Sequence, residues 1–183
     1  EEQKNSLINT IYSTGAGVVG LSGFTTEYKK LKSLIGCIRQ EAPFVAIVAG
    51  GPILSADPVL MLDKLGLDYG VYGEGEETVL ELASFFIEGG SPHDIAGLVF
   101  REELDGTIIK NVQRTPKNHI ESIPRPDREG FSVNTSHGAE VIIGRACPFQ
   151  CTFCTHSSVA FRRRSLDDVF REIDDLFSKY KFK

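Results

Sequence analysis

Residues 17–51 read GVVGLSGFTTEYKKLKSLIGCIRQEAPFVAIVAGG, and their pattern decides the fold. GVVGLSG (17–23) is an apolar run of strand length that ends in a turn. TTEYKKLKSLIGCIRQEAP then carries Tyr28, Leu31, Leu34, Ile35 and Ile38 at helical spacing behind a threonine cap. FVAIVAGG (44–51) is a second apolar run, stopped by a glycine pair. A strand, a helix and a strand, with both strands apolar throughout, predict a βαβ unit in a parallel sheet covered on both faces. The first strand is accordingly read as buried.

Outward from this unit the alternation continues. Residues 1–14 read as a helix, 57–65 as a short helix, DYGVYG (68–73) as a strand and 76–88 as a helix. Residues 95–112 change character, and IAGLVFRE and GTIIKNVQR read as two strands joined at Asp105-Gly106, a hairpin that adds an antiparallel edge. Residues 114–138, rich in Thr, Pro, Asn and charge and including IPRPDREGF, read as an extended linker. AEVIIGRA (139–146) restarts as a strand. SLDDVFREIDDLFSKY then places Leu166, Val169, Phe170, Ile173, Leu176, Phe177 and Tyr180 on one helical face behind a Ser165 cap. The expected organisation is an α/β domain over 1–113 with a hairpin extension, a linker over 114–138, and the first βα unit of a second domain over 139–183. The chain opens on a helix and stops where a further strand is due, so it is read as a fragment cut at both ends, with a first strand missing.

The 183 residues are 41% hydrophobic and 25% charged, a globular composition, and the net charge of -5 offers no footprint for nucleic acid or anionic membrane. No stretch reads as an export signal or a membrane span. Three of the four cysteines fall within eight residues, and Cys37 lies apart in a helical stretch as a small hydrophobe. That grouping predicts a metal site in a reducing, cytoplasmic setting rather than disulfides.

The metal candidates are Cys147, Cys151 and Cys154, in a C-x3-C-x2-C spacing between a strand and a helix. Clustered thiolates suit an iron-sulfur cluster or zinc. Three thiolates leave one iron of a four-iron cluster open, whereas His156 would complete a Cys3His zinc site. Arg162, Arg163 and Arg164 follow, either as an attraction for an anionic group or as a solvated basic turn, and take no catalytic role.

With Phe153 before the last cysteine and GRACPFQ at the strand end, this loop resembles the radical S-adenosylmethionine superfamily. The resemblance implies that Cys147, Cys151 and Cys154 hold a 4Fe-4S cluster and that Phe153 sits against S-adenosylmethionine chelated by the open iron. An electron from a reductant such as flavodoxin or ferredoxin would then cleave the sulfonium, and the resulting 5′-deoxyadenosyl radical would take hydrogen from a small-molecule substrate.

In the upstream domain, glycines fall at the C-terminal ends of the strands, where open α/β sheets bind ligands: Ser22-Gly23, Gly50-Gly51-Pro52 and Gly73-Glu74-Gly75. No dinucleotide or P-loop motif is present, and Glu74, Glu76 and Glu77 would repel phosphate. The order VVGLSGFT, VAGGP, GEGEETVLEL and Ile123-Pro124-Arg125-Pro126-Asp127 ahead of the cysteines resembles the cobalamin-binding subclass of radical S-adenosylmethionine proteins. That resemblance implies a Rossmann-like, flavodoxin-like parallel sheet, the start of a partial TIM-type barrel, and a cleft for the cobalamin tail at Ser22, Gly23, Gly50, Gly51, Gly73 and Gly75. Two departures stand: only the serine of the S-x-L element is kept, and no D-x-H-x-x-G occurs. Tight βα turns remain the other reading of the glycines. The expected activity is cobalamin-dependent methyl transfer to carbon. The alternatives are anaerobic tetrapyrrole cyclase chemistry, and a non-catalytic corrinoid-binding or structural module with a zinc loop. One βα unit cannot enclose a radical, so little turnover is expected of the chain alone.

Overall fold

The computed structural model describes residues 2–128, 138–149, 151, 152, 154 and 159–182. They form two compact units, Glu1–Thr115 and Pro116–Lys183. Unit 1 runs α1 (Glu2–Thr14), β1 (Val18–Ser22), α2 (Tyr28–Glu41), β2 (Ala46–Gly50), α3 (Pro52–Ala56), α4 (Pro58–Leu65), β3 (Tyr69–Val71), α5 (Glu76–Glu88), β4 (Leu98–Arg101) and β5 (Ile108–Lys110).

The five strands form one sheet in the order β1-β2-β3-β4-β5. β1 pairs parallel with β2 and β2 with β3, while β4 is antiparallel to both of its neighbours. Four strands therefore point the same way, and β4 is the single reversal: it enters antiparallel to β3 after α5, and the Asp105-Gly106 hairpin returns the chain to the common direction in β5. The parallel register sets Ser22 directly opposite Gly50.

Side-chain alternation along these strands divides the core in two. On one face Val19, Ile47 and Ala49 meet Ile11 of α1, Leu31, Ile35 and Ile38 of α2, and Ile53, Leu54, Leu62 and Leu65 of α3 and α4. Ile38, Ile47, Ile53, Leu54 and Leu62 are fully buried, each stabilising by roughly 1.5–3 kcal/mol over exposure. On the other face Val48, Val71, Leu98 and Phe100 meet Leu82 of α5, with Phe85 and Phe86 packed alongside. Helices on both faces give the expected three layers, but unequally. The second face is covered by α5 over β3 and β4 and left open over β1 and β2. β1 is therefore buried on one side only, with Val18 39% exposed, rather than buried throughout as its apolar run suggested.

Local chemistry accounts for the element ends. Asp57 caps α4 by accepting from the Leu60 N–H at 3.1 Å, and Gly66 ends the helix in a left-handed conformation, φ 75°. α3 was not foreseen. Pro52 occupies the first turn of the helix, where no N–H is needed.

Unit 2 contains β6 (Gly144–Arg145), β7 (Arg162–Arg163) and α6 (Leu166–Ser178). The strand expected over 139–146 is reduced to Gly144–Arg145, paired antiparallel with β7. Among the described residues it has no parallel neighbour to complete its ladder, and Ile142 and Ile143 are exposed. Ser165 does cap α6, accepting from the Asp168 N–H at 3.3 Å. Of the residues expected on the apolar face, Leu166, Phe170 and Phe177 are exposed, Val169, Ile173 and Tyr180 are half-buried and only Leu176 is buried, while Glu172 is 3% exposed.

Candidate functional site

The open part of the second face is a cavity of about 660 Å³. Its floor is the outward-facing alternation of β1 and β2, namely Val18, Gly20, Ser22, Val48 and Gly50, and its wall is α5 with Val79, Leu82 and Phe86. Two absent side chains create the space. A Cβ added at Gly20 would meet nothing within 4 Å, and one at Gly50 would make only ordinary contacts with Val71. Gly51 is required for a different reason. Its φ is 84°, and a Cβ there would come within 2.6 Å of Ser22 Oγ. That hydroxyl thus lies tight against the β2–α3 turn at the rim of the cavity.

Of the residues expected from sequence, Ser22, Gly50, Gly51, Gly73 and Gly75 are brought together around this cavity. Gly23 is buried behind the rim, where its carbonyl accepts from the Ile53 N–H at 3.1 Å. Gly73 donates its N–H to Ser55 Oγ at 3.0 Å, fixing the β3–α5 turn. Sequence reasoning missed Gly20 and the α5 wall. A glycine inside an apolar strand was the available signal, since it leaves room for close approach.

The wall is held by a buried polar anchor. Thr78, fully buried, donates to the Ala96 carbonyl at 2.7 Å. Arg114 donates to Thr78 Oγ1 at 3.0 Å and to Glu77 at 3.1 Å, and it also pairs with Glu81. No lining residue carries a charge, so the cavity suits a neutral, largely apolar group with hydrogen-bonding capacity at one edge. These features fit the nucleotide-tail base of a corrinoid and do not fit a phosphate.

In unit 2, Cys147 and Cys151 are exposed and Cys154 is half-buried, and none of the three forms a disulfide. The Cys154 N–H donates to the Cys151 carbonyl at 3.0 Å, and Ala146, just ahead of Cys147, has φ 63°. As a donor set the three thiols suit a thiolate-held cluster. Among the described residues, however, no three His, Cys, Asp or Glu side chains converge into a metal-holding group. Phe153 and His156 lie outside the described residues.

A row of carboxylates runs along α6, buried at Glu172 and exposed at Asp175. Asp168, Glu172 and Asp175 recur on one face of α6. Arg125 donates to Asp168 at 2.7 Å and to Asp175 at 2.8 Å, and Arg128 pairs with Glu172 at 3.4 Å. The hydrogen bond from Arg125, then that from Arg164, hold the Asp168 carboxyl below its usual range. Of the three arginines after the loop, Arg164 belongs to this network. No helix among the described residues is long and apolar enough to cross a membrane.

Comparison with known proteins agrees with this geometry. Residues 2–83 match the family model of the B12 binding domain. The chain is 27% identical over 176 residues to an uncharacterized methyltransferase of Pyrococcus horikoshii, and it is 24% identical over 165 residues to one of Synechocystis. The matches cover 91% and 88% of this chain and only 38% and 27% of those proteins, so the chain spans a minor part of either relative. The fold is shared with the radical S-adenosylmethionine methyltransferase TsrM of Kitasatospora setae, solved with its tryptophan substrate, at a TM-score of 0.77 and 20% identity. That match covers 98% of this chain and 38% of TsrM. It is shared equally with the cobalamin-dependent radical enzyme OxsB, solved with aqua-cobalamin and S-adenosylmethionine, at a TM-score of 0.77 and 21% identity over 97% of this chain and 25% of OxsB.

Proposed function

We propose that unit 1 binds cobalamin in the cavity beside α5, and that the cysteine loop of unit 2 holds a 4Fe-4S cluster in a cobalamin-dependent radical S-adenosylmethionine methyltransferase. The observation that carries the reading is the uncharged, glycine-floored cavity built by a segment that matches the B12 binding domain. Gly20 and Gly50 leave the floor bare so that a flat ring can lie on the strands, and Val48, Val71 and Leu82 give it apolar contact. The Ser22 hydroxyl offers a hydrogen bond at the edge, and Gly51 keeps that hydroxyl in place. Cys147, Cys151 and Cys154 would ligate the cluster, leaving its fourth iron for S-adenosylmethionine. When bound, the two cofactors would supply the electron that cleaves S-adenosylmethionine and the cobalt that carries a methyl group. The substrate is a small molecule, and an external reductant of flavodoxin or ferredoxin type feeds the cluster.

The test is calorimetric titration of the chain with hydroxocobalamin. Saturable one-to-one binding that weakens when the cavity is filled by substitution supports the reading. Heat indistinguishable from dilution would refute it.

A further inference from the structure

The arginine triplet after the cysteine loop contains a residue whose burial and bonding exceed what a solvated turn requires. Arg164 is only 9% exposed at its side chain. Its backbone N–H donates to the Ile143 carbonyl at 3.0 Å, and its Nη1 donates to the Ile142 carbonyl at 2.9 Å. The same guanidinium donates from Nε to Asp168 Oδ2 at 2.6 Å, from Nη2 to the Asp168 carbonyl at 3.2 Å, and from Nη1 to Glu172. Ile142 and Ile143 lie on the stretch that enters the cysteine loop through β6, and Arg164 lies on the stretch that leaves it after β7. Asp168 and Glu172 belong to the helix that follows.

We infer that Arg164, seated between the Ile142 carbonyl and the Asp168 and Glu172 carboxylates, is the positioning residue that clasps both ends of the cysteine loop and thereby sets how firmly the loop holds its metal. The two-residue ladder of β6 and β7 is too short to fix the loop ends alone. A planar guanidinium can serve these four acceptor atoms, on three residues, in diverging directions, and an ammonium cannot reproduce that fork. Glu172 is in turn contacted by Arg128, which also donates to the Glu140 carbonyl at 3.0 Å. The entering stretch is thus tied at Glu140, Ile142 and Ile143. Among the described residues, the Arg164 guanidinium is bonded to Ile142, Asp168 and Glu172. The inference rests on the proposed cluster reading and deepens it.

The full chain is reconstituted anaerobically with ferrous iron and sulfide, desalted, and exposed to a ferrous chelator, for wild type and Arg164→Lys. Far-ultraviolet circular dichroism monitors folding, and hydrogen exchange monitors peptides over 138–163. The clasp predicts that Arg164→Lys keeps its helix content, exchanges faster over 138–163, and loses iron to the chelator at least fivefold faster. Equal exchange and equal iron loss would overturn it. If Arg164→Lys unfolds unit 2, Glu172→Gln, which keeps shape and one acceptor oxygen, is judged by the same two outcomes. Wild type that holds zinc but no iron would overturn the cluster reading alone, and the comparison is then made on zinc release. Wild type that holds neither metal overturns both.

Discussion

Gly20→Ile separates the cavity's role in binding from its role in folding. The strand carries no side chain at this position, and a Cβ there meets nothing within 4 Å. Replacing a strand glycine by a β-branched residue reduces unfolded-state freedom and suits the pleated backbone, a gain of about 1 kcal/mol. For a unit of this size that gain raises the thermal midpoint by roughly 4 °C. The isoleucine then occupies the floor on which the proposed corrinoid tail would lie. Inserting methylenes into a filled cavity costs about 1–3 kcal/mol, so the affinity falls by roughly 5- to 150-fold. Thermal melts followed by circular dichroism and calorimetric titration with hydroxocobalamin read the two effects on one preparation. A higher midpoint with unchanged affinity would refute the assignment of the site. A lower midpoint would refute the account of the open sheet face.

Gly51→Ala forces a side chain into a glycine-only conformation and against Ser22 Oγ, and is expected to cost about 1–3 kcal/mol, read as a lowered denaturant midpoint that Ser22→Ala relieves only in part. Arg114→Met removes the anchor of α5 while leaving Thr78 buried, and should destabilise unit 1 by about 2 kcal/mol and weaken cobalamin binding in parallel, measured by urea unfolding and titration. The Asp168 carboxyl is lowered from its ordinary 3.8, chiefly by Arg125, so its contribution to unit 2 is fully present above pH 4 and is lost as pH falls through the lowered value. The signal of α6 at 222 nm should therefore decline on acidification in wild type, and Asp168→Asn should flatten that dependence.

The alternation of apolar runs made the parallel sheet legible, and Asp105-Gly106 announced the antiparallel β4–β5 hairpin. The helix expected over 76–88 matches α5 because its glycine flanks and its apolar spacing agree. What stayed hidden depends on distant partners. Apolar strands do not reveal which face a helix leaves bare, so Gly20 and the α5 wall were not foreseen, although Ser22 and the later glycines were. The period of α6 pointed to its apolar face, yet Glu172 is buried alongside Leu176, because Arg128 and Arg164 meet it there. Arg128 stands 44 residues away in sequence, a separation at which local spacing carries no signal.

One chain is proposed to hold both cofactors, and the anaerobic absorption spectrum after reconstitution with iron, sulfide and hydroxocobalamin is the sharpest test. Wild type should show a broad band near roughly 400 nm and keep its corrin bands after desalting, while Cys151→Ala should lose the first and keep the second. Neither signal in wild type would contradict the account and return the cysteine loop to a zinc or purely structural role.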